Sequence, residues 1–323
     1  MKIGILGPGR MAATFAKTLM QMEDVTRWAV ASRAMERAKS FALEYGFTKS
    51  YGNYQDLLQD PNVDLVYIAT PHSHHYELMK ACIEAGKPVL CEKAFTINAA
   101  QAADIRRLSR EKGVFVTEAI WTRYMPSRQI INDIVSSGII GKITGLTANL
   151  CYPVTYKERI LKPELCGGAL LDVGIYGLNF ALMHFGNDIV RVDSSVRMTQ
   201  TGVDAAESVT LHFSDGKMAV ITAAIDCRSD RKGIFYGENG FIIVENINNP
   251  QSISVYDTEE RLLRRIEVPE QISGYEYQIR ECARCLAEKR TESWSMPMDQ
   301  TVAVMELMDS IRAQWGLVYP QEQ

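Results

Sequence analysis

Short apolar runs alternate with segments of helical period over the first third of the chain, which is the signature of repeated βαβ units. Strand-like runs fall at 2–6, 25–31, 48–51, 64–69, 88–91 and 114–117. Between them, apolar residues recur every three to four positions over 11–22, 35–45, 54–59, 74–85 and 99–112, which predicts five helices. Six strands joined by helices fit a doubly wound parallel sheet, whose ligands bind at the carboxyl ends of the strands.

The pattern changes after Ile120. A helix over 127–137 and a strand over 143–150 precede a polar stretch at 156–164 and an apolar helix over 168–185. From Arg191 to Val268 two-residue alternation dominates, as at 208–213, 217–225, 241–244 and 252–256. Ser214-Asp215-Gly216 and Glu238-Asn239-Gly240 read as hairpin turns, so these strands belong to a mostly antiparallel sheet. With 323 residues the chain exceeds a single core, and the change of pattern predicts an α/β Rossmann domain over 1–120 and an α+β domain over 121–323.

Composition narrows the class. Hydrophobic residues at 46% and charged residues at 23% are ordinary globular values. A net charge of −4 gives no reason to expect nucleic acid or an anionic membrane as a partner. The first apolar run is too short for a signal-peptide core, and the apolar stretch at 167–183 carries Asp172 and Asn179, as a buried helix does. Seven scattered cysteines read as reduced thiols, and the expected location is cytoplasmic. Cys282-Ala283-Arg284-Cys285 lies in a helical run over 275–289 with no second pair, so it reads as packing; no metal site is expected.

Gly7-Pro8-Gly9-Arg10-Met11-Ala12 follows the first strand and opens the first helix, the context a dinucleotide fingerprint requires. Gly7 permits the turn, Gly9 admits the pyrophosphate, and Ala12 keeps helix and sheet close. The helix start offers backbone N–H groups and a positive dipole to phosphate. An NAD site places Asp or Glu about 20 residues further on, at the end of the second strand. Here that strand ends Ala31-Ser32-Arg33, which suits a 2′-phosphate and favours NADP over NAD, although Arg33 also reads as the exposed start of a helix.

Lys93 follows the fifth strand, where a nicotinamide would lie, although a surface charge is the commoner fate of lysine. Asp172 is the one charge between Glu164 and His184 and shares a helix face with Tyr176. A phenol near an ammonium ionises more readily, so Lys93 and Tyr176 are candidates to move a hydroxyl proton while hydride passes to or from the ring. From spacing alone, Tyr176 reads equally as a core aromatic and Asp172 as a backbone acceptor. Thr70-Pro71-His72-Ser73-His74-His75 follows the strongest strand and reads as a cleft-lining helix start.

Together Gly7-x-Gly9-x-x-Ala12, Thr70-Pro71-His72-x-x-His75, Glu92-Lys93 and Gly167-Gly168-Ala169-Leu170-Leu171-Asp172-x-Gly174-x-Tyr176 resemble the glucose–fructose oxidoreductase/inositol dehydrogenase (Gfo/Idh/MocA) family along the whole chain. Glu118-Ala119-Ile120-Trp121-Thr122-Arg123 is similar to its dihydrodiol dehydrogenase branch, which includes NADP-dependent xylose dehydrogenases. The resemblance implies Lys93 and Tyr176 as the catalytic pair supported by Asp172, and Trp121 and Arg159 lining the substrate pocket. It assigns Arg10, Met11, Ser32, Arg33, Thr70, His72, His75 and Glu92 to the cofactor with the fingerprint residues. It also implies a small-molecule substrate (a sugar, polyol or trans-dihydrodiol) and a homodimer formed through the C-terminal sheet. Ala94 departs from the family's usual proline, and Tyr176 stands where many sugar and inositol members have histidine. A reading of another class is a non-catalytic NAD(P)-binding sensor; the presence of both Lys93 and Tyr176 speaks against it.

Overall fold

The computed structural model describes residues 1–322, which divide into two units. Met1–Trp121 and Gln271–Met305 form the first; Thr122–Glu270 and the segment from Glu306 onward form the second.

The first unit is built on six strands: β1 (Lys2–Leu6), β2 (Thr26–Ala31), β3 (Lys49–Tyr51), β4 (Leu65–Ile68), β5 (Val89–Glu92) and β6 (Val116–Ala119). They lie in the order β3-β2-β1-β4-β5-β6, every neighbouring pair parallel. Every residue of β4, β5 and β6 is buried, as parallel strands covered on both faces require. The connecting helices are α1 (Arg10–Leu19), α2 (Met35–Tyr45), α3 (Tyr54–Gln59), α4 (His75–Glu84) and α5 (Ala99–Lys112). From α1, Phe15 stacks on Tyr67 of β4 with ring centroids 3.8 Å apart, locking the first helix over the sheet centre. Strand order reverses between β1 and β4, so the loops after those strands flank the crevice where such sheets bind ligands.

The second unit begins with α6 (Pro126–Ser136) and β7 (Ile143–Cys151) and continues through α7 (Ile175–Phe185). Seven strands follow: β8 (Ile189–Met198), β9 (Asp204–Phe213), β10 (Met218–Ala224), β11 (Gly233–Gly237), β12 (Gly240–Val244), β13 (Ser252–Asp257) and β14 (Leu262–Glu267). The eight strands of this unit form one sheet, β14-β13-β12-β11-β7-β10-β9-β8, antiparallel except where β7 meets β10. Alternate residues of β9 to β12 are buried, on the face that α7 covers. The stretch Pro163–Phe185 is long and apolar enough to cross a membrane by composition, but 94% of an 18-residue apolar window within it is buried inside the protein, so it is core.

That stretch differs from the single helix expected over 168–185. Leu170–Gly174 forms a π-helical turn before α7, with the Ile175 N–H bonded to Leu170 O five residues back. One inserted residue leaves apolar composition unchanged, so periodicity does not reveal it.

The chain then returns to the first unit in α8 (Tyr275–Ala287), and α9 (Met298–Trp315) carries it back to the second. This corrects the expected division, in which 121–323 formed one domain. The physical reason is the apolar face of α8: Ile279, Cys282 and Cys285 are fully buried in the same core cluster as Ile3, Phe15 and Tyr67. The Cys-x-x-Cys spacing is therefore two consecutive turns of one core face.

Candidate active site

At the end of β1 the chain turns through Gly7, whose φ is +89° and whose N–H donates to Ala31 O at the end of β2 (3.1 Å). A Cβ there would lie 2.8 Å from Thr70 Cγ2, so both backbone and packing call for glycine. Gly9 is different. It is extended, and a Cβ on it would meet only Ala69 O at 3.9 Å, so the protein's own packing does not need glycine there. It leaves open the approach to the first turn of α1, as a pyrophosphate requires. Ala12 is fully buried at the helix–sheet contact; Arg10 is exposed and Met11 half-buried. These residues fit a dinucleotide.

Ser32 is buried at the end of β2; its N–H donates to Tyr51 O (3.1 Å) and its Oγ accepts from the Ala34 N–H (3.3 Å). Arg33 is exposed beside it. Burial pushes the Tyr54 phenol up while Arg33 and Arg37 pull it down, and burial followed by the Arg33 charge lowers His74. The Arg33 and Arg37 charges thus act on Tyr54, and that of Arg33 also on His74. Arg37 and Tyr54 were not singled out from the sequence; the signal available was the four-residue spacing of Arg33 and Arg37 at a helix start.

The β4 and β5 loops are tied together by His75. Its ring is fully buried, with Nδ1 2.9 Å from Ala94 O and Nε2 2.9 Å from Thr70 O. Burial pushes the imidazole down to about 4, against the carbonyls that raise it. In the neutral ring only one nitrogen carries a proton, so one of the two contacts is a hydrogen bond. His75, expected at the cofactor, has both ring nitrogens facing backbone carbonyls and so ties the loop that presents Lys93 to the β4 loop. The Lys93–Ala94 peptide is cis, and Lys93 is half-buried. Glu92 is buried and accepts a hydrogen bond from the Tyr67 hydroxyl, which fixes the start of that loop from below. His72 is also buried. Trp121, expected at the substrate, is 6% exposed and stacks on Tyr275 at 4.3 Å between ring centroids.

In the second unit, Arg159 Nη2 donates to Asp172 Oδ1 at 2.8 Å. The pair depends on Gly167. A Cβ there would lie 2.2 Å from Ile160 O and 2.8 Å from Arg159 O, so only glycine lets the turn Glu158–Leu161 approach this closely. Gly168 N–H bonds Ile160 O (2.9 Å), and the buried Tyr319 hydroxyl donates to Gly167 O (3.0 Å). Asp172 lies within the π-turn, and Tyr176, half-buried, stands in the first turn of α7. Lys93 therefore belongs to the first unit, and Arg159, Asp172 and Tyr176 to the second. Among the described residues no group of three or more His, Cys, Asp or Glu side chains is placed to hold a metal ion.

Comparison with known proteins supplies the remaining observation. A profile described as an oxidoreductase family with an NAD-binding Rossmann fold (GFO_IDH_MocA) matches residues 1–120, and the profile of a GFO/IDH/MocA C-terminal domain matches 129–243. The chain is 30% identical to trans-1,2-dihydrobenzene-1,2-diol dehydrogenase of Mus musculus, over 100% of this chain and 99% of that one. It belongs to the GFO/IDH/MocA oxidoreductase family. D-xylose 1-dehydrogenase (NADP(+)) of Hypocrea jecorina is 32% identical over 99% of this chain and 93% of its own length. Among solved structures, the 3-ketoreductase KijD10 of Actinomadura kijaniata, in complex with NADP and TDP-benzene, shares the fold with a TM-score of 0.88 at 22% identity, covering 97% of both chains. Aldose–aldose oxidoreductase of Caulobacter crescentus, complexed with glycerol, does so with a TM-score of 0.88 at 21% identity and 99% coverage of both. As a member of this family the protein is an oxidoreductase with an NAD-binding Rossmann domain and a small-molecule substrate.

Proposed function

We propose that this oxidoreductase uses NADP to move hydride between nicotinamide C4 and a carbinol carbon of a sugar, polyol or trans-dihydrodiol, with Tyr176 and Lys93 as the proton-transfer pair. The observation that carries the reading is end-to-end similarity to dehydrogenases of a trans-dihydrodiol and of D-xylose, in a chain that has a phenol at the start of α7. When bound, the cofactor supplies or accepts the hydride. The chain's own part is to exchange the hydroxyl proton at Tyr176 Oη, with the Lys93 ammonium favouring the phenolate. Asp172, paired with Arg159 and four residues before Tyr176, supports the site in this reading, and Trp121 is assigned to the substrate pocket. The exposed Arg33 and the absence of an acidic residue between Asp24 and Glu36 support NADP over NAD.

The test is reduction of NADP and NAD over a panel of aldoses, polyols and trans-dihydrodiols, repeated with Tyr176→Phe and Lys93→Met. Turnover by the wild type and a loss of at least a hundredfold in kcat for each variant, with NADPH binding retained, supports the roles. Undiminished turnover by either variant refutes them. Tight NADPH binding with no turnover of any substrate would favour a sensor.

Two further parts of the reading concern context. The face of the eight-stranded sheet away from α7 carries Ile234, Tyr236, Phe241, Ile243 and Tyr256, all half-buried or exposed, and Phe241 stacks on Tyr256 at 5.0 Å. Such an apolar sheet face supports a homodimer formed through it. All seven cysteines are free thiols, which supports a reducing, cytoplasmic location.

A further inference from the structure

The floor beneath the π-turn holds two carboxyl groups that the proposed chemistry does not use. One row of β9 reads Ala205, Glu207, Val209, Leu211, Phe213, all buried, so Glu207 interrupts an otherwise apolar row. Among the described residues neither of its carboxyl oxygens has a hydrogen-bond partner. Asp204, fully buried at the start of the same strand, accepts the Leu170 N–H through Oδ2 (2.5 Å), while its Oδ1 lacks a partner.

Both carboxyls press on glycines of the segment above. A Cβ on Gly174 would lie 2.2 Å from Glu207 Oε1, and one on Gly168 would lie 2.0 Å from Asp204 Oδ1. Burial and the neighbouring Asp204 push the Glu207 carboxyl well above its usual range.

Stability does not account for this arrangement. A leucine at 207 would complete the apolar row, and an unpartnered buried carboxyl is unfavourable even when protonated. Glycine in a helical segment adds a second unfavourable choice at the same contact. Both meet at Gly174, two residues after Asp172 and two before Tyr176. Buried groups without partners and π-turns both concentrate at functional sites.

We propose that Glu207, assisted by Asp204, is a positioning residue for the reaction. The two carboxyls fix the height and register of the π-turn from below and so aim Asp172 and Tyr176. Asp204 holds the turn's entrance through the Leu170 N–H, and Glu207 fills the notch left by Gly174 at its exit. The inference rests on the assignment of Tyr176 as the proton-exchanging group.

The experiment compares Glu207→Gln, Glu207→Leu and Tyr176→Phe with the wild type. It measures kcat, KM, NADPH affinity and melting temperature on the substrate found in the panel above. Glu207→Gln keeps a polar group of the same shape against Gly174 and should stay within about threefold in kcat. Glu207→Leu should melt at a higher temperature while losing at least tenfold in kcat, with NADPH affinity unchanged. That opposition of signs is not produced by a merely structural residue. Glu207→Leu with unchanged kcat overturns the proposal, as does a parallel loss of melting temperature, kcat and NADPH affinity. If Tyr176→Phe retains turnover, the underlying assignment fails. If Tyr176→Phe is inactive and Glu207→Leu is not, only the positioning role fails.

Discussion

Arg159 donates to Asp172 across 2.8 Å, with the guanidinium one-third exposed (34%) and the carboxylate almost sealed (8%). The asymmetry decides what each substitution does. Removing the arginine leaves a carboxylate that solvent reaches poorly, whereas removing the acid leaves a guanidinium that water can still solvate. Arg159→Ala should therefore destabilise the protein by about 1–3 kcal/mol in urea unfolding. Asp172→Asn should cost less, and the Arg159→Ala/Asp172→Asn double variant should be more stable than Arg159→Ala alone. A double variant showing the full sum of both losses would mean that the ion pair is not the source.

In the proposed reading, Arg33 is the side chain on which the choice between NADP and NAD turns. It is exposed, stands beside the buried Ser32, and reaches His74 and Tyr54 electrostatically. A charge-assisted hydrogen bond to a 2′-phosphate contributes about 1.5–3 kcal/mol, or roughly ten- to a hundredfold. Arg33→Ala should lower kcat/KM for NADP by that factor and leave NAD within about threefold, as steady-state kinetics with both cofactors will show. Equal losses for the two would remove Arg33 from 2′-phosphate recognition.

The first unit was legible because its parallel strands are apolar throughout and its turn residues are fixed by geometry. Leu65–Ile68 and Val89–Glu92 are buried at every position, and Gly7 is required where β1 turns. The return of α8 was not legible. Its period shows an apolar face at Ile279, Cys282 and Cys285, but periodicity does not say which core that face enters. The π-turn escaped for a related reason. The carboxyls packed against it, Asp204 and Glu207, lie about 30 residues further along the chain and meet it only through space. His75 was found as part of a motif, and only its burial between two carbonyls shows that it holds loops together.

His184 sets an acid limit on the stability of the second unit. It is enclosed by Phe180 and Phe235, and its Nδ1 lies 2.6 Å from Asn132 Oδ1. Burial, aided by Arg128 and Arg123, pushes the imidazole down to about 3. The native ring stays neutral while the unfolded chain takes up a proton below about pH 6.5, so stability falls as pH drops from about 6.5 toward 3. Asp204 opposes this. Raised to about 6 by burial, it contributes stability that is present below about pH 3.8 and lost as pH rises through 6. His184→Phe should flatten the acid limb by about one proton, or ~1.4 kcal/mol per pH unit. Urea unfolding between pH 4 and 6 reads that slope, and an unchanged slope would mean that His184 is not protonated on unfolding.

Gly7 and Gly9 look equivalent in sequence, and the structure separates them. Alanine at Gly7 meets a φ of +89° and Thr70 Cγ2 at 2.8 Å, so Gly7→Ala should cost at least about 1–2 kcal/mol of stability. Alanine at Gly9 has 3.9 Å to its nearest neighbour and an extended backbone that any residue adopts. Gly9→Ala should leave the melting temperature unchanged, or raise it slightly by restricting the unfolded chain. In the proposed reading its Cβ enters the space through which the pyrophosphate approaches the first turn of α1, so NADPH affinity should fall at least tenfold. Fluorescence titration of NADPH alongside thermal unfolding resolves the two effects. If Gly9→Ala binds NADPH like the wild type, the open space at Gly9 is not where the phosphates lie. If it loses stability in step with affinity, the loss of binding follows from unfolding and not from a blocked approach.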